Sequence, residues 1–272
     1  MTELLELTRI GPNDLVIEIG PGRGIITREL LKRAGRVIAV ERDLQFHNDL
    51  SILGAENCKL QLVAADFLEW QLPNEEYKVF SNIPFNLTAD IVFKLTFADR
   101  APSDMYLIMQ EAAALRFAGM PYGRNSQVSV LMSIDFEVKV LRAISNDAFE
   151  PKPSVSVVFS HFDKRSEPLI LTEQRQDFRD FVVYGYNQWV PTVIEAFRGV
   201  FSARQLAIIA RRQHLGGLKP SELTLDQWIE LFEIFNRYVA DDRKKRVRGS
   251  EHRIGLKTQA NLTKWHRTRR SA

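Results

Sequence analysis

EIGPGRG, residues 18–24, follows the apolar run Leu15–Ile19 and leads into a helix-like segment, placing three glycines within five positions. A strand that ends in such a turn lets backbone approach a ligand closely, because glycine adopts left-handed backbone without a Cβ clash. A purely structural tight turn would carry the same glycines. The pattern is GxGxG, whereas a dinucleotide fold prefers GxGxxG; the position where that third glycine would fall is Ile25.

Working outward, short apolar runs bounded by turn residues recur as LVIEIG (15–20), RVIAVE (36–41), KLQLVAAD (59–66), KVFSNI (78–83) and MYLIMQ (105–110). Near-continuous apolar strands with helix-like segments between them predict an α/β unit with a parallel sheet covered on both faces. SVLMSIDFEVKVL (129–141) and VSVVFSHF (155–162) are β-rich and predict an antiparallel edge. After Arg165 the pattern turns helical, over 172–189, 202–213 and 223–239, with Ser202 and Thr224 as N-caps. The expected domains are therefore a sheet domain over 1–165, a small all-helical domain over 166–240 and a basic tail over 241–272.

Composition sets outer limits. No run of about 18 apolar residues exists to cross a membrane. The opening MTELLEL has no basic segment before an apolar one, which speaks against a secretory signal. A single cysteine, Cys58, excludes an internal disulfide and fits a reducing cytoplasm. The five histidines are scattered without ligand spacing, so no metal is expected. From Arg243 to the end, 11 lysines and arginines face one acid, Glu251. Cations interleaved with Trp265 and His266 in LTKWHRTRR suit a phosphate backbone with exposed bases. Because this stretch lacks an apolar period, a cut after Asp242 is expected to spare the fold while lowering RNA affinity.

The ends of the strands narrow the ligand. Glu18, Gly20, Gly22 and Gly24 line the turn. Glu41 ends the second strand, where an acid in an open α/β sheet accepts from two ribose hydroxyls. Asp66 ends the third, where a carboxylate can accept from an exocyclic amine while Phe67 can cover an adenine face. No phosphate-binding lysine accompanies them, which favours an adenosine bearing an amino-acid group, S-adenosylmethionine, over NAD or ATP. The fourth strand ends in SNIPF, containing Asn82, Ile83, Pro84 and Phe85. The Asn82 side-chain oxygen and the Ile83 carbonyl could accept the two N6 hydrogens of adenine and free its lone pair to attack a sulfonium methyl. Phe85 would stack on the base and Phe149 of FEPKP would take its other face. An adenine held so must leave its stack.

EIGPGRG, AVE, AADF, SNIPF and FEPKPSV, in that order, resemble the adenine-N6 dimethyltransferases of ribosomal RNA over nearly the whole chain. The resemblance implies a Rossmann-like S-adenosylmethionine-dependent methyltransferase sheet followed by a small all-helical C-terminal domain. It places Gly20, Glu41, Asp66 and Asn82 at the cofactor and Asn82 and Phe85 at the target base. NIPF, DMYLIMQ, LTLDQWIELF and the tail are similar to the Erm branch, which methylates one adenine of 23S rRNA and confers macrolide, lincosamide and streptogramin B resistance. The KsgA branch, housekeeping dimethylation of adjacent adenines in 16S rRNA, is the alternative. The expected partner is 23S rRNA, protein-free or in an assembling large subunit, met by a monomer without a membrane. A small-molecule or DNA methyltransferase, or an RNA-binding factor with a relic cofactor fold, would share parts of this pattern. The family also carries an N-terminal segment with a Q-N-F-like motif over the methionine end of the cofactor. MTELLELTRIGPND has no counterpart, so an upstream extension is expected to improve cofactor affinity and rate.

Overall fold

The computed structural model describes residues 1–255. Residues 1–118 with 135–166 form one compact unit, and residues 119–134 with those from Glu167 onward form a second. In the first, β1 (Leu15–Ile19), β2 (Arg36–Glu41), β3 (Leu60–Ala64), β4 (Lys78–Asn82) and β5 (Asp104–Gln110) run parallel. With β6 (Phe136–Ile144) and β7 (Val157–Lys164) they form a seven-stranded sheet of order β3-β2-β1-β4-β5-β7-β6, in which β7 is antiparallel to both neighbours. All five positions of β1 are buried, as a strand covered on both faces requires. Helices α1 (Thr2–Glu6), α2 (Ile25–Leu31), α3 (His47–Glu56), α4 (Thr88–Thr96) and α5 (Glu111–Ala118) accompany the sheet. Leu5 and Leu30 join Val16, Phe80 and Phe159 in an apolar cluster of this unit.

At the amino ends of the strands, Arg9 pairs with both Asp104 and Asp163, and Lys78 donates to Asp14 at 2.9 Å. Burial alone would raise the Asp104 carboxyl, but hydrogen bonds from His161 and Arg9 outweigh it and bring it down to about 2. Asp104, His161 and Asp163 lie within metal-ligand reach of one another, which the scattered histidine spacing did not foresee. The Arg9 guanidinium already engages both carboxylates.

The expected β-run over 129–141 is two elements. Gln127–Ser133 is a helix, α6, and β6 starts only at Phe136. Ser126 accepts from the Ser129 amide while the Ser129 hydroxyl accepts from the Ser126 amide, a reciprocal cap that outweighs the β-branched content. Val130, Leu131 and Ile134 then enter the core of the second unit, so the expected boundary at residue 165 misses this inserted stretch.

The second unit adds α7 (Arg175–Tyr186), α8 (Val193–Ala196), α9 (Ala203–Arg212), α10 (Leu225–Tyr238) and α11 (Asp241–Val247). Ser202 and Thr224 are N-caps as expected, each with a glutamine at N3 that completes the reciprocal pair. Aromatic rings fill the core: Phe181 lies 4.6 Å from Phe197 and 4.9 Å from Phe235, centroid to centroid. Each such buried ring contributes about 1.5–3 kcal/mol. The first part of the basic tail is built into this unit. Val247 and Ser250 are buried, which an apolar-period argument over so charged a segment does not reveal. LTKWHRTRR lies outside the described residues. No helix among the described residues is long and apolar enough to cross a membrane.

Candidate active site

The sheet order reverses between β1 and β4, and their paired register extends only through Ile17–Val79. Beyond it the carboxyl ends of the two strands are joined by the Ser81 hydroxyl donating to the Ile19 carbonyl. Such a reversal opens a crevice in which α/β sheets bind ligands. Gly20, Gly22 and Gly24 border it with φ of +63°, +55° and +74°. A Cβ at Gly20 or Gly22 would meet nothing within 4 Å, so the turn faces open space. At Gly24 it would come within 3.1 Å of Leu50 on α3, and here the left-handed residue is also the N-cap of α2.

Glu41 is buried, and its carboxylate is already engaged: one oxygen accepts from the Gly22 amide at 3.0 Å, the other from the Asp43 amide at 2.8 Å. It therefore holds the glycine turn to the end of β2 as well as presenting acceptors. A carboxylate oxygen has a second lone pair, so each still has capacity for a hydroxyl.

Glu18 differs. It is 1% exposed, and neither carboxylate oxygen makes a hydrogen bond. Burial pushes its carboxyl up to about 8, the Thr27 hydroxyl opposes that rise and Glu41 adds to it. The group is thus protonated in the folded protein at pH 7 and ionised in the unfolded chain. Between about pH 4.5 and 8 the folded state holds the extra proton, so this residue makes stability fall as pH rises. Glu18→Gln is expected to gain on the parent by about 1.4 kcal/mol per pH unit over that window. Urea unfolding at pH 5, 6 and 7 reads this; parallel pH profiles would mean Glu18 is ionised in the fold.

Asp66 follows β3 and accepts from the Leu68 amide at 2.9 Å and from Arg42 at 3.1 Å. The Leu68 amide leads the causes that hold its carboxyl below the usual range, with Arg42 adding to it. Phe67 is not the open platform expected. The residue is 5% exposed, its ring tilted against Trp70 with the Lys94 ammonium 5.2 Å from the centroid. Lys94, on α4, also donates to the carbonyls of Phe67, Leu68 and Trp70 and so ties the loop behind Asp66 to the helix that follows SNIPF. Neither Lys94 nor Arg42 was singled out from the sequence, since a lone cation on a helix or after a strand reads as solvated.

Asn82 ends β4 exposed, and its side-chain amide has no partner among the described residues. Ile83 is buried and donates its amide to the Ile108 carbonyl at 3.2 Å, while Pro84 starts a turn closed by the Leu87 amide. Phe85 and Phe149 are both half-buried against the same apolar cluster of the sheet unit. The structure thus gathers Glu18, Gly20, Gly22, Glu41, Asp66 and Asn82 at the carboxyl ends of four adjacent parallel strands. An open glycine turn beside an acid with spare lone pairs suits a ligand carrying hydroxyls.

The sheet, with its crevice at the strand ends, has a Rossmann-like methyltransferase fold. The model of the ribosomal RNA adenine dimethylase family matches residues 1–237, and the chain belongs to that family. It is accordingly an S-adenosylmethionine-dependent rRNA adenine-N6 methyltransferase. A curated rRNA methyltransferase of Streptomyces thermotolerans is 35% identical over 82% of this chain and 74% of its own length. An rRNA adenine N-6-methyltransferase of Bacillus licheniformis is 28% identical over 87% and 83%. The solved structure of the 23S rRNA methyltransferase ErmE superposes with a TM-score of 0.79 at 24% identity, covering 87% of this chain and 96% of that one.

Proposed function

We propose that the protein methylates N6 of one adenine in 23S rRNA in the bacterial cytoplasm and thereby confers resistance to macrolide, lincosamide and streptogramin B antibiotics. The observation that carries it is the unpaired Asn82 side chain ending β4, across the sheet reversal from the open glycine turn. The Erm-like form of NIPF and the 23S substrate named for ErmE support the large-subunit target. When bound, S-adenosylmethionine supplies an electrophilic methyl group. Glu41 would bind the ribose hydroxyls, Asp66 the adenine amine, and the glycine turn would approach through its backbone. Asn82 and the Ile83 carbonyl would accept the two N6 hydrogens of the target base, aiming acceptors where positive charge develops. Phe85 and Phe149 would bracket that base. The exposed cations of the second unit, with the lysines and arginines of the tail, would engage phosphates.

Incubation with methyl-labelled S-adenosylmethionine and protein-free 23S rRNA, 16S rRNA or DNA tests the reading. Label on a single 23S adenine is the expected result; label on 16S rRNA would move the protein to the housekeeping branch. Glu41→Ala is expected to weaken S-adenosylmethionine binding about 10- to 150-fold, the equivalent of roughly 1.5–3 kcal/mol for a charged hydrogen-bonding group. Calorimetry measures it, and unchanged affinity would remove Glu41 from the cofactor site.

A further inference from the structure

Trp189, in the loop joining α7 to α8, is 100% exposed, so its indole gains nothing from packing. Its φ of +51° lies in the left-handed region, which a bulky side chain rarely adopts. The loop around it is anchored. The Asn187 side-chain amide donates to Gln127 Oε1 and to the Val183 carbonyl, both at 2.8 Å, and the Gln188 side-chain amide donates to the Tyr184 carbonyl at 2.9 Å. Past the tryptophan, the Thr192 hydroxyl caps α8 and the Val193 amide donates to the Leu218 carbonyl at 2.9 Å. Beneath the loop, Tyr186 stacks on the fully buried Trp228 at 5.4 Å. A loop fixed on both sides therefore holds one large flat ring out in water at a backbone cost.

A hollow beside it is lined by residues 185–191 and 219–221, all of the second unit and none of them acidic. The only charged side chain lining it is Lys219, exposed, whose ammonium makes no ion pair among the described residues while its backbone amide donates to Glu222 at 2.9 Å. An aromatic face next to a lone cation complements an unpaired nucleotide: the ring takes the base and the ammonium takes a phosphate. Bases in a duplex have no free face for such stacking, which selects a loop, bulge or single-stranded flank.

We propose that Trp189 and Lys219 form a stacking subsite for one unpaired nucleotide of the RNA substrate, outside the target-adenine pocket. This rests on the rRNA substrate argued above and adds where a second nucleotide is gripped. Because Trp189 is fully exposed, its removal is expected to leave the fold unchanged.

The full chain, its Trp189→Ala and Trp189→Phe forms and Lys219→Ala are assayed with protein-free 23S transcript. Trp189→Ala is expected to weaken RNA binding and raise the RNA KM by about 5- to 150-fold, the range for losing one base stack. kcat at saturating RNA and cofactor affinity stay at the parent values, and Trp189→Phe recovers most of the loss. Lys219→Ala lowers the slope of log affinity against log salt by roughly 0.7, one phosphate contact on a single strand. If the parent methylates 23S rRNA and Trp189→Ala keeps its KM, the subsite is overturned while the function stands. If the parent methylates no rRNA, both fall. A changed sedimentation coefficient for Trp189→Ala with unaltered RNA affinity would assign the indole to a contact between copies of the chain and overturn the subsite.

Discussion

Asn82→Ala is expected to lower turnover by about 10²-fold or more, the scale of losing one preorganised group at a reacting centre. Adenine N6 is a poor nucleophile while its lone pair is delocalised into the ring. The side-chain oxygen at the end of β4 is one of two acceptors that would localise it, the other being the Ile83 backbone carbonyl. The substitution is informative because Asn82 is exposed and its amide has no partner among the described residues. Removing it leaves no buried group unsatisfied, so the unfolding midpoint should hold while kcat collapses. Phe85→Ala behaves differently. That ring packs half-buried against the sheet cluster, so its loss costs stability as well as about 1–3 kcal/mol of base stacking. Phe85→Tyr keeps the ring plane and is expected to be nearly silent. Single-turnover methylation beside thermal unfolding separates the two effects, and an active Asn82→Ala enzyme would overturn the proposed mechanism.

The parallel sheet is legible because strands buried on both faces are almost wholly apolar, as in LVI (15–17) and VIAV (37–40). The acids and the asparagine at the strand ends are legible for the same reason: polar residues closing such runs fall at one edge of the sheet. What local pattern hides is side chains reaching far along the chain. Phe67 reads as an open ring until Lys94, 27 residues on, is seen donating to its carbonyl and sitting over it. Glu41 reads as a free acid, whereas the Gly22 amide, 19 residues earlier, already claims one of its oxygens. The helix at Gln127–Ser133 was within reach, since Ser126 and Ser129 have cap spacing, but β-branched neighbours dominated the pattern. Glu18 belongs to a familiar turn, yet nothing in its spacing reveals that its carboxyl is buried and unpaired.

Cutting the chain after Asp242 is expected to destabilise the helical unit by about 3–5 kcal/mol, the scale of stranding a buried charge, contrary to the reading of residues 241–272 as an appendage. Asp180 on α7 is 3% exposed, and its two oxygens accept from the Gly249 amide at 2.6 Å and the Glu251 amide at 2.9 Å. Both donors lie beyond the cut. With them go the buried Val247 and the Glu251 carboxylate that pairs with Arg179. A cut after Gly255 retains every one of these groups while removing five lysines and arginines, Lys257, Lys264, Arg267, Arg269 and Arg270. That shorter truncation is expected to keep the full-length unfolding midpoint and to lose only RNA affinity. Each lost phosphate contact would lower the log–log salt slope by roughly 0.7–0.9. Urea unfolding of the two truncations beside the full chain reads the first effect, and RNA titration over a salt series reads the second. Equal stability of the two truncations would show that Asp180 finds other donors once Gly249 and Glu251 are gone. An unchanged salt slope after the Gly255 cut would show that the RNA is held by cations of the folded units, with Arg243 to Arg253 first among them.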